Sequence, residues 1–171
     1  MQCPNCSSEN IEGVDVCEQC GQPLSDSHLR GPKSALERAL LKDSIGALPT
    51  KEPVIVREDS AVGDVITLIA ERGTGCAFIA NADGKLTGVF SERDALLRIG
   101  SKLAEVWDSK VSVYMTPNPQ SLKADAKIAF AVHQMDVGHF RHIPIVDNNN
   151  YPVGVISVRE ILSYLTSMSD A

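Results

Sequence analysis

Four of the five cysteines of this 171-residue chain fall within eighteen residues, as Cys3-Pro4-Asn5-Cys6 and Cys17-Glu18-Gln19-Cys20. Each C-x-x-C can chelate one side of a tetrahedral Zn²⁺ through two thiolates, and the ten residues between the pairs close the loop. Four sulfurs fill the coordination sphere and leave no open position, so such a metal is structural rather than catalytic. Two disulfides or a redox dithiol are the competing readings. Disulfides need an oxidising compartment, and Met1-Gln2-Cys3-Pro4 lacks the charged-then-apolar pattern of a secretion signal. A redox dithiol normally sits on a strand-helix unit within a larger fold, which these pairs do not have.

A second constellation occurs twice, as Gly88-Val89-Phe90-Ser91-Glu92-Arg93-Asp94 and Gly154-Val155-Ile156-Ser157-Val158-Arg159-Glu160. Ser91 with Asp94 and Ser157 with Glu160 both fit a capping box, which accounts for the hydroxyl and the acid. It does not account for the glycine three residues before each serine, where a missing side chain admits a ligand or another backbone. A helix N-terminus can also hold a phosphate, with the serine hydroxyl as a further donor. The carboxylate one turn along can accept both hydroxyls of a ribose. Capping and binding are compatible.

The segments leading into the preceding strands differ. Gly73-Thr74-Gly75-Cys76 carries no charge, whereas His139-Phe140-Arg141-His142 offers three phosphate partners, with Arg141 able to fork onto two oxygens. The second motif is therefore expected to favour the phosphate, and the first, with the shorter Asp94, the firmer ribose grip. Arg93 and Arg159 are further phosphate contacts unless merely solvated. Cys76 reads as a small apolar filler of a buried strand. His133 is placed on the outer face of its helix, and Trp107 has no aromatic neighbours with which to form a stacking platform.

The elements that must position these groups repeat. Residue n set beside residue n+66 pairs Pro53 with Pro119, Asp59 with Asp125, Ile79 with Ile145 and Gly88 with Gly154, and four of the eight identities fall between 88 and 93. Each unit reads as a Pro-led extended segment and then an amphipathic helix (Val62, Val65, Ile66, Ile69; Ile128, Ala131, Val132, Met135). A strand follows (76–80; 143–146), then an Asn/Asp/Gly turn, a second strand through the glycine, and a helix from the serine. Ahead of the repeats, Ser34-Ala35-Leu36-Glu37 is a capping box opening a helix with a Leu36, Leu40, Leu41, Ile45, Leu48 stripe, which Pro49 stops.

Two units of this order, each ending in G-h-h-S-x-x-[DE] with h apolar, resemble a tandem pair of CBS domains, the Bateman module. The second also carries Val113-Tyr114-Met115-Thr116-Pro117 and Arg141-His142-Ile143-Pro144-Ile145-Val146-Asp147. The likeness runs over residues 34–168, nearly four-fifths of the chain. It implies an α/β (α+β) fold of small sheets covered by helices, and homodimers formed through those helices. It also implies an adenosyl ligand of the AMP, ADP or ATP type, with the acid on the ribose and the serine near the phosphate: Ser91 and Asp94 at the first site, Ser157 and Glu160 at the second. Gly75, Cys76, Thr116, His139, Arg141, His142, Ile143 and Pro144 complete the candidate contacts. Residues 1–22 resemble the short zinc ribbons at the N-termini of many prokaryotic proteins.

The expected organisation is a zinc ribbon over 1–24, a linker and connecting helix over 25–48, and CBS repeats over 49–110 and 111–171. Residues 1–24 hold four acids and no Lys or Arg, and a zinc tetrathiolate would add −2, so the ribbon repels phosphates and nucleic acid is disfavoured as its partner. No apolar run approaches the ~20 residues of a membrane span, and a cytoplasmic location is expected. No phosphate loop, H-E-x-x-H or G-x-S-x-G occurs, and no His or Lys is placed as base to either serine, so catalysis is not expected. A regulatory sensor signalling to a protein partner is the leading reading; a ligand-free scaffold and a nucleic-acid regulator are the others.

Overall fold

The computed structural model describes residues 1–3, 5–11, 13–25 and 34–169. The polar stretch Asp26-Ser27-His28 and the Gly31-Pro32 pair ahead of the first helix lie outside them. In chain order the elements begin with α1 (Ala35–Lys42), β1 (Ile55–Arg57), α2 (Val62–Arg72), β2 (Cys76–Ala80) and β3 (Leu86–Ser91). Next come α3 (Glu92–Asp94), α4 (Leu103–Val106) and β4 (Thr116–Pro117). The chain closes with α5 (Ile128–Gly138), β5 (His142–Val146), β6 (Pro152–Ser157) and α6 (Val158–Ser169). They form two compact units, one of Met1–Pro49, Asp125–Arg141 and Val158–Ala171, the other of Thr50–Ala124 and His142–Ser157.

In the first unit α1 lies against α5 and α6. Ser34 caps α1 by accepting the Glu37 N–H at 3.1 Å. The helix is shorter than its apolar stripe suggests. It stops at Lys42, with the Asp43 N–H closing it on the Ala39 carbonyl, and a 3-10 turn over Ile45–Ala47 follows, because the Asp43 carbonyl and the Ile45 N–H bond sideways to residues 126–128 instead of continuing the helix. The Ile45 N–H donates to the Ala126 carbonyl, the Ile128 N–H donates to the Asp43 carbonyl, and the Tyr164 hydroxyl donates to the Asp43 carboxylate. In α5 the buried face is Ile128, Ala131, Gln134 and Met135, while Val132, expected on that face, is half exposed. Apolar residues occur nearly all round this helix, so their spacing alone does not fix its inner side. His133 is exposed, as expected of an outer face.

The second unit holds both sheets. The first has the order β1-β2-β3-β4, with β1 parallel to β2 and the other pairs antiparallel. The second pairs β5 with β6 and is extended by single bridges, Leu122 parallel to Ile145 and Lys51 antiparallel to Val155. The 66-residue register reappears in these pairings. Val56 faces Ile79 as Leu122 faces Ile145, and each hairpin has an irregularity at the same point, Ile79/Ala80 and Ile145/Val146. Its turn is held in the same way, by Asn81 Oδ1 accepting from the Asp83 and Lys85 N–H groups, and by Asp147 Oδ1 accepting from those of Asn149 and Tyr151. The segment before each repeat pairs with the other repeat's motif strand: Thr116 and Pro117 lie beside Val89 and Gly88, and Lys51 lies beside Val155. The repeats have exchanged their leading segments.

Every residue of β2 is buried, because both of its faces are covered. Ala77 and Ile79 join Val62, Val65 and Ile69 of α2, with Phe90, Ile99 and Val111, in one cluster. Cys76 and Phe78 join Leu86, Val146 and Val155 in another, which spans both sheets. Within the first cluster's rim, Gly63 of α2 donates its N–H to the Trp107 carbonyl at 2.9 Å, and the indole lies where a Cβ would be. Alanine in place of an ordinary helical glycine gains about 1 kcal/mol. Gly63→Ala reverses that sign, since the ring must shift, and a loss of about 1–3 kcal/mol is expected as a lower urea midpoint. An unchanged or raised midpoint would show that Trp107 is not held there.

Candidate functional site

Two centres emerge. In the first, Cys3 Sγ lies 3.7 Å from Cys20 Sγ and Cys6 Sγ lies 3.6 Å from Cys17 Sγ, and all four sulfurs are within 4.8 Å of one another. A tetrahedron with ~2.3 Å zinc–sulfur bonds has sulfur–sulfur edges of about 3.8 Å, so the donor set fits such an ion. Each pair sits on a small turn closed by backbone pairing, Gln2 with Glu9 and Val16 with Pro23. Polar side chains surround the sulfurs: Ser8 Oγ is 3.0 Å from Cys6 and 3.2 Å from Cys17, Asn10 Nδ2 is 3.5 Å from Cys17, and Asn5 Nδ2 is 3.6 Å from Cys20. The Ser8 hydroxyl holds the Cys17 thiol down at about 5 and lowers Cys6 as well, while desolvation pushes Cys3 up to about 11. These four cysteines form a group able to hold a metal ion, consistent with a zinc ribbon.

The second centre is the repeated motif. β3 ends at Ser91, whose extended backbone caps α3. The box is complete: Ser91 Oγ accepts the Asp94 N–H at 3.3 Å, and Asp94 Oδ2 accepts both the Ser91 N–H at 2.9 Å and the Ser91 hydroxyl at 2.6 Å. The expected regular helix lasts only from Glu92 to Asp94 and widens into a π-helical turn over Ala95–Ile99, which Gly100 ends by donating to the Ala95 carbonyl. Asp94 Oδ1 lies 3.3 Å from Arg98 Nε, and Arg98 Nη1 donates to the Tyr114 and Met115 carbonyls at 3.1 Å. Those carbonyls immediately precede Thr116, which faces Val89 two residues before Ser91. The space left by Gly88 is filled by the Met115 side chain, so the missing side chain there serves the exchanged segment.

The segments ahead of the strands converge as well. Cys76 is opposite Ser91 and His142 is opposite Ser157. The His142 ring lies over Gly75, with Cε1 only 2.9 Å from where a Cβ would stand, and the Gly75 carbonyl accepts the Glu92 N–H at 3.1 Å. Burial first, then the charges of Glu92 and Asp94, push the Cys76 thiol up to about 12, which keeps it neutral and suits its place in the core. Ser157 and Glu160 are both buried. Ile143 and Pro144 are buried within β5, and Arg93, Arg141 and Arg159 are exposed. His139 is exposed and closes α5 in the left-handed conformation (φ 53°), the place taken by Gly73 (φ 60°) at the end of α2.

Sequence reasoning missed three residues here. Arg98 carried no motif, and Met115 stood in the Val113–Pro117 run without a role of its own. Thr50 did carry a signal, because the same register that pairs Pro53 with Pro119 pairs Thr50 with Thr116. Thr50 lies in contact range of Gly154, 3.7 Å from the position of a Cβ there, so each motif strand has a threonine of the other repeat's leading segment beside it. Next to Thr50 a cavity of about 410 Å³ is lined by Lys51, Pro53, Val54, Ile55, Leu68, Arg72 and Thr74 among others.

The doubled sheet-and-helix unit with a serine at each strand end is the architecture of a CBS pair. Residues 45–101 and 110–167 each match the sequence model of the CBS domain, and the chain belongs to that family. It is 33% identical over 149 residues to a CBS domain-containing protein of Arabidopsis thaliana, a match covering 86% of this chain and 27% of that one. It is 28% identical over 154 residues to the meiotically up-regulated gene 70 protein of Schizosaccharomyces pombe, covering 90% of this chain and 20% of that one. The chain thus spans only a fifth to about a quarter of the length of these relatives. Among solved structures, a CBS domain protein of Pyrobaculum aerophilum complexed with AMP is 25% identical, with a TM-score of 0.63, covering 73% of this chain and 99% of that one. Among the described residues no helix is long and apolar enough to cross a membrane.

Proposed function

We propose that this chain is a non-catalytic regulatory module of the cytoplasm that binds an adenine nucleotide of the AMP, ADP or ATP type between its CBS repeats, pairs as a homodimer, and signals the bound state to a protein partner. The observation that carries this reading is the reciprocal placement of Thr50 and Thr116, each of which lies beside the motif strand of the opposite repeat, Thr50 at Gly154 and Thr116 at Val89. Ser157 and Glu160 serve the second site with His142 and Arg141, and Ser91 and Asp94 serve the first. The cavity beside Thr50 is of a size that suits a small ligand, with Lys51 and Arg72 at its wall for phosphate and Val54, Ile55 and Leu68 for the base. The AMP complex of the Pyrobaculum aerophilum protein supports the ligand class. Residues 1–24 act as a zinc-held structural or docking element.

A scaffold without ligand is the second reading, favoured at the first motif by a capping box that satisfies its own hydroxyl and acid. Calorimetric titration with AMP, ADP, ATP and S-adenosylmethionine decides between them. At least one is expected to bind in the micromolar to millimolar range, and Ser157→Ala is expected to weaken it about tenfold by removing one hydrogen bond to a charged phosphate. The absence of binding at millimolar concentration would leave only the scaffold.

A further inference from the structure

Three side chains from the first cysteine turn and its tail reach the sulfurs, and each of them reaches one in the second turn. Asn5 Nδ2 lies 3.6 Å from Cys20 Sγ and Asn10 Nδ2 lies 3.5 Å from Cys17 Sγ. Ser8 is the best placed, because its Oγ touches one sulfur of each pair, Cys6 at 3.0 Å and Cys17 at 3.2 Å. Its backbone is fixed from two sides, the Ser8 carbonyl accepting the Cys3 N–H at 2.8 Å and an Asn10 Nδ2–H at 3.0 Å. Asn10 in turn accepts the Glu18 N–H on Oδ1 at 3.1 Å, which ties it to the second turn. In a metal-loaded centre the sulfurs are thiolates that only accept, so the Ser8 hydroxyl is the donor and its one hydrogen is shared between Cys6 and Cys17. Charge makes that hydrogen matter. Four thiolates on a divalent ion leave −2, and residues 1–24 add four acids and no Lys or Arg. Compensation within the segment falls to N–H and O–H dipoles, and hydrogen bonds to ionised acceptors are the strong ones.

We propose that Ser8 is a positioning residue of the metal centre: by sharing its hydroxyl hydrogen between Cys6 and Cys17, it holds the two cysteine turns in ligating register and draws electron density from both thiolates. The proposal rests on the four-cysteine centre holding a metal ion, and it gives a residue that is not a ligand control over how tightly the ion is held. Partners of this kind orient metal ligands and tune their basicity.

The test uses the full chain, with zinc affinity measured by competition against a chelating dye and with cobalt(II) as a coloured substitute for zinc. Ser8→Ala is expected to weaken zinc binding by about ten- to a hundredfold, the usual cost of losing a partner that orients a metal ligand, and Ser8→Thr, which keeps the hydroxyl, by less than about threefold. In the cobalt form, Ser8→Ala should move the sulfur-to-metal charge-transfer band to longer wavelength, because a thiolate that loses a hydrogen bond gives up its electrons more easily, and Ser8→Thr should leave the band in place. Wild-type affinity in Ser8→Ala, or a band that stays where it was, overturns the role of Ser8 while leaving the metal centre intact. Equal damage in Ser8→Thr also overturns it, since the hydroxyl is then not what matters. If Ser8→Ala takes up no metal at all, Ser8→Thr decides: full uptake supports the proposal and failure ends it. A wild-type chain that takes up neither zinc nor cobalt ends the four-thiolate reading, and this inference falls with it.

Discussion

Cys17→Ala is expected to reduce bound zinc from about one ion per chain to none and to unfold residues 1–25. The buried apolar positions among the described residues of that segment are Cys3 and Cys17 themselves, so those residues form no hydrophobic core to fall back on. In ribbons of this size metal binding is folding, with a coupled free energy of roughly 10–16 kcal/mol at neutral pH. The remaining three thiolates would leave one tetrahedral position to water, and Cys17 is the sulfur with the most polar support, from Ser8 and Asn10. Metal analysis by mass spectrometry and the dispersion of amide signals from residues 1–25 are the readouts. The apolar clusters of the sheet unit contain no residue from this segment, so that unit's thermal midpoint should stay where it was. Stoichiometric zinc in the variant, or much less than one zinc in the wild type, would end the four-thiolate assignment.

Phe90→Ala is expected to destabilise the sheet unit by about 3–5 kcal/mol, the usual cost of removing a buried phenyl ring together with the cavity it leaves. Phe90 is wholly buried among Val62, Val65, Ile69, Ile79 and Ile99, so walls from α2, β2 and the π turn would all lose contacts at once. Against a total stability of roughly 5–15 kcal/mol this is a large fraction. A fall in thermal midpoint on the order of 10 °C is the corresponding shift for a chain of this size. Ser91 follows Phe90 directly, so any residual nucleotide binding should weaken with the loosening of the motif. A midpoint lowered by only a degree or two would mean that the ring is not part of the core.

How much of this was legible in the sequence follows from what each signal encodes. The strands over 76–80 and 143–146, the turns at Asn81 and Asp147 and the serine caps are local features, and periodicity and turn chemistry locate them. The cysteine cluster was equally plain, because ligand spacing alone restricts it. The length of α1 was not, since the leucine stripe continues past Lys42 and only hydrogen bonds to residues 126 and 128, far along the chain, break the helix. The inner face of α5 was hidden for a different reason: a helix apolar all round is placed by its neighbours. Arg98 bonds to carbonyls sixteen and seventeen residues away, and Met115 fills the space at Gly88, twenty-seven residues away; neither contact is foretold by the local sequence. Thr50 is legible in the repeat register, since it stands 66 residues before Thr116.

The exchange of leading segments also says what a single repeat would do by itself. A chain ending before Met115 would keep the motif strand β3 but lose the strand that covers its edge, and its own Thr50 and Lys51 would have nothing to pair with. Two such half-length chains could complete one another, each lending its leading segment to the other's open edge, as the 66-residue symmetry of the intact chain requires. Their stability would then rise with concentration. Joining the halves replaces that encounter with an effective concentration on the order of millimolar fixed by the connecting chain. The tandem arrangement is thus a dimer that cannot be diluted apart.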